Sequence, residues 1–253
     1  MGVIRSVSLL LLSAFCASAQ LNISSPFFVA GVVKASGGGF DTIAVDATSS
    51  SGEKTSSPFT WTHTTGSGNN RALFVGISIH TEGITASAVT YNGVSMTFLR
   101  GDTGSVGTRT RTEIWYLAAP ATGANTVSVT AAGATECSGG AVSFTGVNQS
   151  TPNDVAGGAG ATGTSTTASQ SITTVTDNAW TFAVLKVHNN NTITIGGGDT
   201  QIWDDTYASV NGEASGSRSA SAKTPAGSKT MSWTLSPSDD WAISVTAVRP
   251  ASL

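Results

Sequence analysis

The chain has 253 residues, with 12 Lys plus Arg against 15 Asp plus Glu and a formal net charge of −3. Charged residues are 11% of the total, well under the ~25% usual in globular domains, and Gly, Ser, Thr and Ala take their place. No basic patch exists, which argues against a nucleic-acid partner, and weak self-repulsion tolerates close packing on polysaccharide, on surfaces or on other copies of the chain.

At the N-terminus Arg5, the apolar run 7–15 and Ala17-Ser18-Ala19 read as an export signal over 1–19. The run is too short to span a membrane, which takes ~20 residues, and no later run is long enough. The expected product is secreted or displayed at a cell surface. Removal of 1–19 takes away Cys16 and leaves Cys137 as the one thiol, expected as a buried small hydrophobe or an intermolecular crosslink.

Segment 20–39 is apolar on both faces and ends in Gly37-Gly38-Gly39. A strand of that kind wants cover on both sides. It is either the first strand of its own sandwich or a donor strand entering a neighbouring subunit. In the second case Phe27, Phe28, Val29, Val32 and Val33 are the assembly residues.

From 40 to 253 the pattern is that of strands. β-Branched and aromatic residues alternate with small polar ones, between turns rich in Gly, Asn, Asp and Pro, and no run keeps a 3.6-residue period. Phe59, Trp61 and His63 alternate with threonines; 73–79 is a strong strand; Asn92-Gly93 between 88–91 and 94–98 predicts a type I′ hairpin. Strands near 109–117, 126–130 and 140–147 complete a first half, 59–147. The order then recurs over 170–249, with strands near 171–175, 180–187, 192–195, 200–203, 217–223, 229–235 and 241–248. The same interval separates Asn70 from Asn178 and His80 from His188, and Ala141-Val142-Ser143-Phe144 is echoed by Ala242-Ile243-Ser244-Val245. Residues 148–169, rich in Gly, Ala, Ser and Thr, read as a flexible connector.

About seven strands per half suit an all-β, antiparallel β-sandwich. The halves either interleave in one jelly-roll-like sandwich, the preferred arrangement, or form two tandem Ig-like sandwiches.

Trp61-Thr62-His63-Thr64, Arg71-Ala72-Leu73, Val89-Thr90-Tyr91-Asn92-Gly93, Ile114-Trp115-Tyr116-Leu117, Gly146-Val147-Asn148-Gln149-Ser150-Thr151-Pro152 and Asp240-Trp241-Ala242-Ile243 together resemble a poorly characterised group of secreted or surface β-sandwich modules of bacterial and phage-related proteins. The resemblance covers about three-quarters of the chain. It implies an extracellular sandwich with no established activity, and no site residue carries over from it.

For enzyme chemistry the sequence offers little. There is no Gly-x-Ser-x-Gly elbow and no phosphate loop. His63, His80 and His188 lack zinc-ligand spacing, and no residue is assigned to catalysis or to a metal. Gly196-Gly197-Gly198-Asp199 with Asp204 and Asp205 has the oxygen ligands for a structural calcium without EF-hand spacing. Asp204-Asp205 and Asp239-Asp240 are adjacent pairs whose members point to opposite faces of a strand. Arg100-Gly101-Asp102 is expected in a turn.

The best-matched ligand is an extracellular glycan, since sugars stack apolar faces on aromatic rings and leave hydroxyls for polar side chains. Trp203, Asp204, Asp205 and Tyr207 are the expected glycan-contacting residues. Of Trp115 and Tyr116, one is expected in the core and the other exposed or against a second layer. The leading expectation is a non-catalytic recognition or adhesion protein. The alternative is a self-associating filament, sheath or virion-surface subunit. A glycan-cleaving enzyme comes third.

Overall fold

A computed structural model describes residues 39–104 and 109–253. The expected export signal, 1–19, and the candidate donor-strand residues Phe27, Phe28, Val29, Val32 and Val33 lie outside the described residues. Among the described residues there is no helix; every regular element is a β-strand, and every ladder is antiparallel.

The first nine strands are β1 (Ala44–Ser50), β2 (Phe59–Thr65), β3 (Ala72–Ile79), β4 (Ala88–Tyr91), β5 (Val94–Ser95), β6 (Thr97–Thr103), β7 (Arg111–Ala118), β8 (Gly123–Thr130) and β9 (Cys137–Thr145). They form one sheet in the order β1-β9-β3-β7-β6 and another in the order β2-β8-β4-β5. The alternation in β2 explains the pairing of these sheets. Phe59, Trp61, His63 and Thr65 point inward, and the threonines between them point out. Phe59, Trp61, Val89, Tyr91, Val127 and Val129 meet Leu73, Val75, Ile77, Ile79 and Trp115 in a first core. Asn92 and Gly93 both have positive φ, 51° and 75°, as a type I′ hairpin requires.

The remaining strands are β10 (Ala159–Thr173), β11 (Trp180–Val187), β12 (Thr192–Ile195), β13 (Asp199–Thr206), β14 (Glu213–Ser219) and β15 (Ser228–Val248). They form a third sheet in the order β10-β15-β11-β14-β13, with β12 on β15. The long strands β10 and β15 serve two layers. Ala159–Ser165 pairs with 239–245; after a bulge at Ser165/Thr167, 167–173 pairs with 228–234. This second stretch brings Ala168, Ile172, Met231, Trp233 and Leu235 over Ala183, Leu185, Val187, Ile243 and Val245, which closes a second core.

A third core lies where the five-strand sheet and the six-strand sheet face each other. Phe74, Ile114, Val142 and Phe144 from the first meet Phe182, Val184, Trp203 and Val248 from the other. This explains why β3 and β11 are apolar on both faces: β3 is buried at every position, and β11 at every position after Trp180.

No ladder joins β1–β9 to β10–β15, so the two halves do not interleave within a sheet. They lie face to face inside one compact unit. The connector reading of 148–169 is corrected. The second half starts at Ala159, because the Gly, Ala and Thr run that suggested a flexible linker is a strand. Its glycines leave room for neighbouring side chains: a Cβ at Gly163 would meet the Trp241 ring, and one at Gly160 the Asp102 carboxylate. Residues before it are also held, since Asn148 N donates to Arg249 O at 2.8 Å and Asp154 N to Ala247 O at 2.8 Å.

Candidate binding site

The expected glycan residues do not make a surface site. β13 carries a bulge between Gln201 and Trp203, and Trp203 turns into the third core with 4% of its surface exposed. Its ring fills the space left by Gly140 and Gly216, where any Cβ would collide with it. Tyr207 is fully buried; its hydroxyl donates to Ser78 O at 3.0 Å and meets Ser138 Oγ at 3.1 Å. Neither ring offers a face to a ligand. Asp204 is exposed and Asp205 half-buried. Burial raises the Asp205 carboxyl pKa, against a hydrogen bond from Ser138 that lowers it.

The oxygen-rich stretch suggested for calcium is engaged otherwise, because Asp199 Oδ1 pairs with Lys229 Nζ at 2.5 Å. Among the described residues no group of three His, Cys, Asp or Glu side chains is placed to share a metal ion. Arg100 and Asp102 close on each other within β6, through two bonds of 2.7 Å, so this tripeptide lies in a strand and not in a turn.

Three polar constellations emerge that the sequence did not bring together. The first is a chain across β1, β2 and β9. Ser49 Oγ meets His63 Nδ1 at 2.8 Å, His63 Nε2 meets Ser143 Oγ at 3.1 Å, and Ser143 Oγ donates to Asp46 Oδ2 at 2.7 Å. It has the residue types of a hydrolase relay. Two features point instead to a cross-brace. Ser49 Oγ also accepts from Trp61 Nε1 at 3.1 Å. Burial lowers the His63 pKa to about 4, against the opposing charge of Asp46, which makes it a poor base near neutral pH.

The second lies where β3 and β11 end. The rings of His80 and His188 stack with centroids 5.5 Å apart and planes 13° from parallel. Behind them the fully buried Lys186 Nζ donates to Val187 O at 2.5 Å and Glu213 O at 3.3 Å, and lies 4.4 Å from the centre of the Tyr207 ring. Burial lowers Lys186 to about 7, against Glu213 and Asp239. Burial first, then Lys186, His188 and Arg109, lower His80 to about 3. His80 borders a cleft of about 350 Å³ that also holds Glu82, Arg109 and Glu136. The perturbed Lys186 has no face on that cleft, so this cluster joins the halves.

The third is a cleft of about 300 Å³ lined by Tyr116, Ser150, Thr151, Asn153, Asp154, Ala156 and Arg249. It lies toward the other end of β3, since Tyr116 pairs with Phe74. Trp115 and Tyr116 divide as expected: Trp115 enters the first core, and Tyr116 is half-buried against the third. The Tyr116 ring is stacked on Phe74 at 6.1 Å and 29°. Asp154 is 6% exposed. Its Oδ2 accepts from Val175 N at 2.7 Å and Thr176 N at 3.2 Å, which holds the carboxylate in place. Its Oδ1 is buried with no protein partner, as are Asn153 Oδ1 and Arg249 Nε. Three orphaned polar atoms on one cleft are unusual, because buried polar groups nearly always find a partner.

In this cleft Tyr116, Ser150 and Thr151 fall within two motifs that the sequence marks only as structural, and nothing in the sequence marks Asn153, Asp154 or Arg249. It could not show that a strand, the inter-half segment and the end of β15 converge there. A scan against protein-family models, a search of curated proteins and a search of solved structures each found no match for this chain.

Proposed function

We propose that this protein is an exported, non-catalytic recognition module that binds a glycan in the cleft beside Tyr116. The observation that carries the reading is the pairing of a half-buried aromatic ring with three orphaned polar atoms, Asn153 Oδ1, Asp154 Oδ1 and Arg249 Nε. A sugar offers the complement: an apolar face for the ring and hydroxyls that both donate and accept. Those atoms are closed off from solvent in the free protein, so a ligand hydroxyl that reaches one supplies a bond that water does not, and a ligand lacking hydroxyls supplies none. The pre-formed support favours binding, since Phe74 holds the ring and the Val175 and Thr176 amides hold the carboxylate.

The test is a glycan array probed with folded wild type and Tyr116→Ala. At least one glycan should be retained by wild type and lose tenfold or more in affinity in the variant, with thermal unfolding little changed. Absence of any glycan binding, or binding indifferent to Tyr116, overturns the proposal.

A further inference from the structure

We infer that the Tyr116 cleft selects a neutral saccharide, one sugar unit deep, over uronic acids and amino sugars with a free ammonium group. This rests on the glycan reading above and assigns the class of sugar. The unmet groups of the cleft are two acceptors, Asn153 Oδ1 and Asp154 Oδ1, and one donor, Arg249 Nε. Arg249 and Asp154 carry opposite charges on the same cleft, so its local charge cancels.

A sugar carboxylate drawn to Arg249 would also approach the Asp154 carboxylate. Asp154 cannot swing away, because its other oxygen is bound to two backbone amides. A ligand ammonium drawn to Asp154 would meet the Arg249 guanidinium, which Nη1 anchors to Thr151 Oγ1 at 3.2 Å. Like charges brought together in one partly desolvated cleft cost more than a hydrogen bond gains. A neutral diol has no such conflict. Asn153 and Asp154 both line the cleft, and their oxygens are acceptors suited to sugar hydroxyls, while Arg249 Nε is a donor suited to a further oxygen. The volume, about 300 Å³, is at the small end of ligand pockets, which run from ~300 to ~1,000 Å³. It suits one residue of a chain or its end.

The experiment is affinity electrophoresis of the full mature chain in gels holding a neutral polymer (β-glucan, mannan or galactan), an acidic one (alginate or polygalacturonate) or chitosan. Wild type, Tyr116→Ala, Asn153→Ala and Asp154→Asn are run side by side. The expected result is retardation by a neutral polymer alone, weakened tenfold or more by Tyr116→Ala and by Asn153→Ala. In Asp154→Asn, retardation by alginate or polygalacturonate should appear or strengthen as the repelling charge is lost. Retardation of wild type by an acidic polymer or chitosan, sensitive to Tyr116→Ala, overturns the neutral assignment and leaves the glycan reading standing. Retardation by no polymer, or retardation that Tyr116→Ala leaves unchanged, overturns both. If Asp154→Asn does not fold, the Tyr116 and Asn153 variants and the polymer panel still decide between these outcomes.

Discussion

Glycines set the fate of the residue on which the sequence placed most weight. Trp203 looks like a binding-site aromatic beside two aspartates, and it is a core residue because Gly140 and Gly216 stand on either side of its ring. Period-two alternation shows which side chains share a face, but it does not show whether that face meets solvent or another sheet. Adding one methyl at either glycine should overpack the third core and cost about 1–3 kcal/mol or more. Gly197 has nothing within 4 Å of its Cβ position. Urea unfolding of Gly140→Ala and Gly216→Ala should therefore show clear loss of stability where Gly197→Ala shows little. Equal effects at the three positions would contradict the packing described for Trp203. Cys137 was legible at this scale: it is free, fully buried and apolar in its surroundings, and burial raises its thiol to about 12.

At the scale of elements, strands with β-branched and aromatic alternation were read well, and β2, β3, β4, β11 and β12 fall where the pattern puts them. Strands made of small residues were missed or misplaced. The sequence pattern places a connector up to 169 and a strand only near 171–175 where β10 runs over Ala159–Thr173, it marks no strand at β1, and it sets at 217–223 the strand that lies at Glu213–Ser219 as β14. Their Gly, Ala and Ser residues have little β-propensity of their own and are in strands because the neighbouring strand and the facing layer supply the ladder and the cover. The Ser49–His63–Ser143–Asp46 chain ties β1 to β2 and β9 and makes that cover sensitive to acid. Unfolded His63 takes up a proton near its ordinary value of 6.5, whereas folded His63 does so only near 4. The unfolded state therefore binds more protons between those values, and the contribution of His63 to stability is present above 6.5 and lost as pH falls to 4. It is of the order of 3 kcal/mol for a side chain this buried. Glu213, raised to about 7 by burial, acts in the opposite sense but equally in wild type and variant. The stability gap between wild type and His63→Asn should thus shrink by about that amount between pH 6.5 and 4 in denaturant titrations; parallel curves would refute it.

Across the whole molecule, the two halves are coupled by more than their connector. The third core, the Tyr207 bonds to Ser78 and Ser138, and the Thr112–Ser244–Asp102 chain at 2.8 and 2.6 Å all cross between them. Separating the halves would expose Phe74, Phe144, Phe182 and Trp203 and break the His80–His188 stack. Calorimetry should give one unfolding transition whose calorimetric and van't Hoff enthalpies agree. Two resolved transitions would show that the halves are independent. The cleft proposed for binding belongs to this scale, being assembled from Tyr116 of the first half, the segment between halves and Arg249 past the last strand.

The amino-acid sequence by itself determined an all-β antiparallel sandwich, the Asn92-Gly93 hairpin, the strands with strong alternation and the burial of Cys137. Those follow from side-chain period and local turn chemistry, which act over a few residues. Only the tertiary structure decided that the halves stack instead of interleaving, that Trp203 and Tyr207 lie inside, and that Tyr116, Asn153, Asp154 and Arg249 surround one cleft. Those outcomes depend on which sheet covers which face, and that is settled by long-range packing between residues a hundred or so positions apart.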